Sequence, residues 1–428
     1  MKKTNVFCMI LLCLGMMSVL VACGSNGSSD TDSSNESSSD EAVEIQFWTY
    51  DNADGRFDVM EEFVSQWNEE NPNIQVKYDR FPLDQYMGTK FASSMVGGSG
   101  PDVFFLSRGD YLHYVESGLV EPLTPYFDEE LKADFLPQVL EAVTYQGDIM
   151  TYPIEMDPVV LYYNKQIFEE ANLAPPKTYD ELKEVAVELN TEDRYGIYLA
   201  PTPNAYQNFI FSPFVWQGGA DFTNEEMTQS EFNGEGAVEA IELWRYLAEH
   251  GATPTSGLEE PLANGLAAME VAGPWKLSTY QRNFPDFYEN EMGIAPLPIP
   301  EGGHQESVYG GWGLALNSRS EHKEEAAQFL MWMFSDPERA VKWNIGARAS
   351  MSPQESIRNT EVHREFYEDE KHAIFLEVFE TARAEAANPQ EVNTIIQDAI
   401  GEAFTNQGTS EEIVKKADER INEYLQTR

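Results

Sequence analysis

Beyond residue 23 this chain contains no cysteine; Cys8, Cys13 and Cys23 all lie near its start. The body of the protein therefore has no disulfide and must draw its stability from core size. Basic residues are scarce as well. The chain carries 28 Lys and Arg against 73 Asp and Glu, a formal charge of −45, which repels phosphate and argues against nucleic acid or an anionic polymer as partner. Familiar catalytic motifs are missing. No Gly-rich loop runs into Lys-Ser or Lys-Thr, and neither His-Glu-x-x-His nor Gly-x-Ser-x-Gly occurs. The six histidines (His113, His250, His304, His322, His363, His372) show no metal-ligand spacing, so neither metal nor cofactor is expected. Among so many acids, carboxylate pairs arise by chance and do not by themselves point to glycoside hydrolysis.

What is present begins with a leader. Lys2 and Lys3 precede an uncharged, largely apolar run from Val6 to Ala22, too short and wrongly flanked for a stable membrane span. Residues 1–22 read as a signal peptide. Its end, Leu20-Val21-Ala22-Cys23, resembles the lipobox of bacterial lipoproteins, which implies cleavage before Cys23 and lipid on its sulfur. Two or more acyl chains anchor stably where one does not. From Gly24 to Glu41 no apolar side chain appears. Such a tract cannot bury enough surface to offset its conformational entropy, so residues 23–42 are expected to form a flexible tether.

Removal of the leader leaves 406 residues, of a chain with 42% hydrophobic and 12% aromatic content, enough for a large core and two to three domains. Glu44–Trp48 alternates like a strand, Met60, Phe63, Val64 and Trp67 form one helical face before Asn71-Pro72, and Ile74–Tyr78 alternates again. A helix around Tyr86–Met95 and a buried strand Asp102–Leu106 complete a β-α-β-α-β rhythm, the signature of an α/β domain with a largely parallel sheet. Further strands are expected at Ile149–Pro153, Val159–Tyr163, Ala268–Val271 and Gly313–Leu316, with mainly helical sequence up to Glu249. From Glu321 onward the chain reads as nearly all helix, broken at Asp336-Pro337, Ser352-Pro353 and Asn388-Pro389.

Tryptophan is the most informative side chain, because sugar rings stack their apolar C–H faces on flat aromatic surfaces. Of eight, Trp67, Trp244 and Trp332 sit on apolar helix faces and are expected in the core. Trp48, Trp275 and Trp312 fall instead at strand ends or Gly-rich turns, where α/β sheets bind ligands and glycine admits close backbone approach. Trp216 and Trp343 fit either place.

The run Gly147-Asp-Ile-Met-Thr-Tyr-Pro-Ile-Glu-Met-Asp-Pro-Val-Val-Leu-Tyr-Tyr-Asn-Lys165, followed by Phe168, Pro175-Pro176 and Thr178-Tyr-Asp-Glu-Leu182, resembles a family signature. It is similar to the extracellular solute-binding proteins of ATP-binding-cassette carbohydrate importers, the maltodextrin-binding type. Gly100-Pro-Asp-Val103, Gly265–Met269 with Gly273-Pro-Trp275, and Pro296-Leu-Pro298 with Gly310-Gly-Trp312 match in the same order, so the likeness covers residues 43–428. It implies a two-lobed periplasmic-binding-protein-like α/β fold whose crossover hinge segments lie near Pro153–Asp157, Ser307–Gly310 and Gly346–Pro353. Residues 43–154 and 309–352 would form lobe I, and 155–308 and 353–428 lobe II. By the same resemblance Trp48, Tyr50, Asp51, Arg108, Asp110, Glu155, Asp157, Tyr206, Trp275, Gly311, Trp312 and Arg348 would contact the ligand. Which of Glu155 and Asp157 faces inward is left open. Near Thr394–Ile396, where maltodextrin binders offer a late aromatic platform, this chain has none.

The expected function is reversible binding of a neutral sugar or oligosaccharide, without chemistry, by a monomer tethered at the outer face of the cell membrane. It would hand the ligand to the permease subunits of an importer. An anchored glycoside-active enzyme and a sugar-sensing module for a membrane receptor are the alternatives.

Overall fold

The computed structural model describes residues 42–51 and 55–428. The expected signal peptide, Cys23 and all of the expected tether except Ala42 lie outside the described residues.

One lobe is built on a six-stranded sheet. Its order is Ile74–Pro82, Val43–Asp51, Val103–Ser107, Trp312–Asn317, Val120–Glu121, with Tyr152–Pro153 also paired to Trp312–Asn317. The first three strands are parallel. Trp312–Asn317 arrives from far along the chain and runs antiparallel, Trp312 opposite Ser107 and Leu316 opposite Val103. Helix Asp58–Glu70 covers this sheet with Met60, Phe63, Val64 and Trp67, the spacing of one helical face. It stops at Asn71, and the Trp67 indole donates to Ile74 O at 3.0 Å, fixing the turn into the next strand.

The other lobe has a four-stranded sheet in the order Tyr195–Tyr198, Ala267–Ala272, Val160–Asn164, Met292–Ala295. Helices Tyr179–Leu189, Ala205–Gln217, Glu235–Glu249, Gln390–Phe404 and Ser410–Thr427 contribute to its core, in which Trp244 is fully buried. A separate three-stranded sheet consists of Ala382–Ala384, Ser307–Gly310 and Asp157–Pro158.

Three sequence expectations need correction. The helix around Tyr86–Met95 is two, Leu83–Tyr86 and Thr89–Gly97, separated at Gly88, where a Cβ would lie 2.7 Å from Asp84 O. Strand Tyr195–Tyr198 interrupts the stretch read as helical; at four residues it is too short for alternation to stand out between two helices. Strand Ala382–Ala384 likewise interrupts the last helical stretch, held by its partner Ser307–Tyr309 and not by its own pattern.

The chain passes between the lobes at three adjacent places. Ile154 N donates to Trp312 O at 3.2 Å, Met156 N to Met351 O at 2.9 Å, and Val159 N to Val308 O at 3.2 Å. Asn344 Nδ2 adds a bond to Ile154 O at 2.8 Å. Segments far apart in sequence are thus laced into one hinge.

Candidate ligand cleft

At the floor of the cleft Glu155, Asp157 and Arg348 meet. Arg348 ends a π-helical turn, Lys342–Arg348, and Ala349 then adopts a left-handed conformation at φ 55°. That bend brings the guanidinium onto the first crossover. Its Nε donates to Glu155 Oε2 at 3.0 Å and its Nη2 to Oε1 at 3.1 Å, while Asp157 Oδ2 lies 3.5 Å from Nη2. The Glu155 side chain is fully buried. Burial disfavours the charge on Arg348, but Glu155 foremost, with Tyr50 and Asp157, more than restores it, so the guanidinium remains charged. Asp157 is pushed well above the usual carboxylate range by burial and then by the charge of Glu155, against which Arg348 works.

Gly311 is the third member of this floor. At φ +140° it occupies a region that L side chains rarely adopt, and a Cβ there would lie 2.8 Å from Glu155 Cγ and O. The next amide, Trp312 N, donates to Glu155 Oε1 at 3.2 Å. Glu155 therefore spends its acceptors on Arg348 and on the second crossover. Trp312 packs 4.4 Å from the Tyr50 ring.

The second wall carries Trp275 at the start of helix Trp275–Asn283 and Tyr206 in the first turn of helix Ala205–Gln217. Their ring centroids are 6.1 Å apart and nearly perpendicular, with Phe209 6.2 Å from Trp275. Arg56, absent from the sequence expectations, crosses the cleft: it is buried, and its Nη1 donates to Trp275 O at 3.2 Å. Its place just after strand Val43–Asp51, whose end carries Tyr50 and Asp51, was the one available hint.

Arg108 opens helix Arg108–Glu116, with its Nε 3.3 Å from Glu385 O and its guanidinium 4.8 Å above the Tyr111 ring. Its buried Nη1 makes no hydrogen bond among the described residues, and burial lowers its basicity. Asp110 is turned inward on its own helix, accepting from the N-cap Ser107 Oγ at 2.7 Å. Asp51 pairs with Arg80 at 3.5 Å. Trp48 lies against Phe81 and beneath Lys90. The structure thus brings Tyr50, Arg108, Glu155, Asp157, Gly311, Trp312 and Arg348 together, pairs Tyr206 with Trp275, and leaves Trp48, Asp51 and Asp110 engaged locally.

Tryptophan burial follows this division. Trp67, Trp216, Trp244 and Trp343 are buried. Trp48, Trp275 and Trp312 are partly exposed. Trp332, expected in the core, is also only partly buried, and the Arg339 guanidinium covers it at 3.9 Å.

A cavity of about 40 Å³ lies at the floor, bordered by Arg108, Tyr111, Glu155, Gly311 and Trp312. One water needs roughly 10–15 Å³ in this measure, so the space takes a few waters and no sugar ring. Beside it, sharing Arg108 and Tyr111, a cavity of about 440 Å³ opens towards Tyr145, Met227 and Arg428. Asn393 Nδ2 to Gly109 O at 3.3 Å and the Glu116–Arg428 ion pair join segments from both lobes.

Two sheet-based lobes joined at adjacent crossovers define a two-lobed α/β fold. The chain belongs to the bacterial extracellular solute-binding protein family, whose model matches residues 54–340. The maltotriose-binding protein of Pyrococcus abyssi is 28% identical over 291 residues, 65% of this chain and 60% of that protein's length. The arabinooligosaccharide-binding protein of Halalkalibacterium halodurans is 26% identical over 413 residues, 90% of each chain. A solute-binding protein of an ABC transporter from Thermotoga lettingae, solved with alpha-D-tagatose, superposes with a TM-score of 0.79 at 24% identity, covering 90% of this chain and all of that one. That likeness establishes the shared fold. These relatives are binding proteins and not enzymes.

Proposed function

We propose that this protein is the receptor of an ABC-type carbohydrate importer, held at the outer face of the cell membrane by lipid on Cys23. It captures a neutral sugar or short oligosaccharide between its lobes and presents it, as a monomer, to the permease subunits. The observation that carries this reading is an aromatic pair on each of the two lobes, Trp312 against Tyr50 on one and Trp275 against Tyr206 on the other. Flat apolar rings with a few fixed polar groups suit a ring with one apolar face and a rim of hydroxyls. Arg108, with Nη1 unengaged beside Trp312 and Glu155, supplies a charge-assisted donor. The sugars named for the two relatives agree with this ligand class. Lobe I would comprise 43–154 and 309–352, lobe II 155–308 and 353–428, so that closure turns on the segments between them.

The decisive experiment is a thermal-shift screen of the mature protein against a panel of mono- and oligosaccharides. One intact sugar should raise Tm saturably. If no carbohydrate does so while a peptide or an inorganic ion does, the ligand class is wrong.

A further inference from the structure

Glu385 lies in the turn between strand Ala382–Ala384 and helix Gln390–Phe404, and nothing in its local sequence distinguishes it. In the folded protein it is 8% exposed and is held on several sides. Its amide donates to Tyr309 O at 2.8 Å, tying it to the second crossover. Its carbonyl accepts from Arg108 Nε at 3.3 Å. Its carboxyl enters a slot left by two missing side chains. A Cβ on Gly109 would lie 2.5 Å from Oε1, and one on Gly310 would lie 3.0 Å from Oε2.

We propose that Glu385 is a positioning residue for ligand capture: seated between Gly109 and Gly310, it latches the lobes and fixes Arg108 with Nη1 free for a sugar hydroxyl. The role of Arg108 rests on reading the cleft as a sugar site; the latch does not. Three constraints converge on Arg108. Its Nε is held by Glu385 O, its guanidinium plane by Tyr111, and its backbone amide by Gly311 O at 3.4 Å. Parting the lobes would draw Glu385 from the slot and release the first of these.

The latch has a pH signature. Burial pushes the Glu385 carboxyl up to about 8, opposed by Arg108 and reinforced by Asp110. Those two, both on helix Arg108–Glu116, are the charged groups that face it. Helix Ala205–Gln217 brings Phe209 and no charge, and the ionisable Tyr309 of strand Ser307–Gly310 acts on Arg108. A carboxyl released into water titrates near ~4.3, so closing the lobes takes up a proton between that value and about 8. Closure therefore weakens as pH rises through this window and levels off above it.

The test compares wild type with Glu385→Gln and Glu385→Ala, with Tm of each variant recorded to exclude unfolding. Small-angle scattering of the ligand-free protein reads closure without any sugar. The radius of gyration of wild type should grow from about pH 5.5 to about pH 8.5, and that of Glu385→Gln should stay constant. Sugar titration then reads Arg108. Wild-type affinity should fall about tenfold or more over the same range, Glu385→Gln should vary less than about twofold, and Glu385→Ala should bind about tenfold more weakly at pH 5.5. A Glu385→Gln profile that follows wild type, or a folded Glu385→Ala that binds sugar as tightly as wild type, overturns the proposal. pH-dependent closure without binding of any sugar would support the latch and sink the sugar reading of the cleft.

Discussion

Arg348 grips both carboxylate oxygens of Glu155, at 3.0 and 3.1 Å, and so fastens the third crossover to the first. The pair is dry, with side chains 4% and 0% exposed. Two charges removed from water recover their desolvation only when both partners stay, and removing one leaves the other stranded. Arg348→Ala strands the Glu155 carboxylate. It should cost about 3–5 kcal/mol in chemical denaturation, with Arg348→Lys intermediate because an ammonium cannot reproduce the fork. A loss below about 1 kcal/mol for Arg348→Ala would mean the pair contributes little.

Asp157 makes the opposite prediction. Burial, then the Glu155 charge, holds its carboxyl well above the usual range. The folded state thus binds the proton more tightly than the unfolded chain, where the value is ~3.9. The group's favourable contribution is complete below that value and is lost as pH rises towards the folded one. Asp157→Asn should therefore be more stable than wild type by ~1 kcal/mol or more at neutral pH, and equal to it near pH 3. Melting curves across that range decide it; a difference independent of pH would refute the electrostatic cause.

Gly311 should tolerate no side chain. Gly311→Ala meets Glu155 at 2.8 Å and must hold φ near +140°, a combination expected to cost at least about 1–3 kcal/mol from backbone strain alone. Gly346→Ala, on the third crossover, where a Cβ meets nothing within 4 Å, serves as the control. Equal melting temperatures for the two would show the crossover to be more pliable than its packing implies.

Trp275 and Trp312 are both partly exposed and are proposed to stack on the sugar. Either Ala substitution should weaken sugar binding about tenfold or more, ~1.4 kcal/mol, with the fold retained. Isothermal titration tests this. Unchanged affinity in both variants would remove them from the site.

If Cys23 carries the anchor, Cys23→Ala should release the protein from cells and leave sugar affinity unchanged. Fractionation into membrane and medium reads this directly; a variant that stays with the membrane would sink the lipid anchor.

Much of the fold could be read locally. Helix Asp58–Glu70 announces itself through Met60, Phe63, Val64 and Trp67, and Val43–Asp51 through its alternation, because both bury one face of a regular element. The four-residue strand Tyr195–Tyr198 and the three-residue strand Ala382–Ala384 had no such period, and their partners alone hold them. The cleft divides in the same way. Trp275 and Trp312 were marked by the glycines beside them. Glu155 and Asp157 were located as a pair, but nothing local said that Arg348 would occupy them. Arg56 and Glu385 went unnoticed because each acts on a residue hundreds of positions away or on the far side of the cleft.

The sequence alone determined most of the regular elements, the absence of disulfides from the body, the acidic balance of charge and the choice of Trp275 and Trp312 as site candidates. These depend on periodicity, composition and glycine spacing, which are properties of neighbours along the chain. Only the tertiary structure decided which charges are paired and which remain available. Glu155 and Arg348, 193 residues apart, meet because three crossovers converge at one hinge. Burial there turns a hydrated carboxylate into one that must find a cation, and no local pattern records which cation the fold will bring.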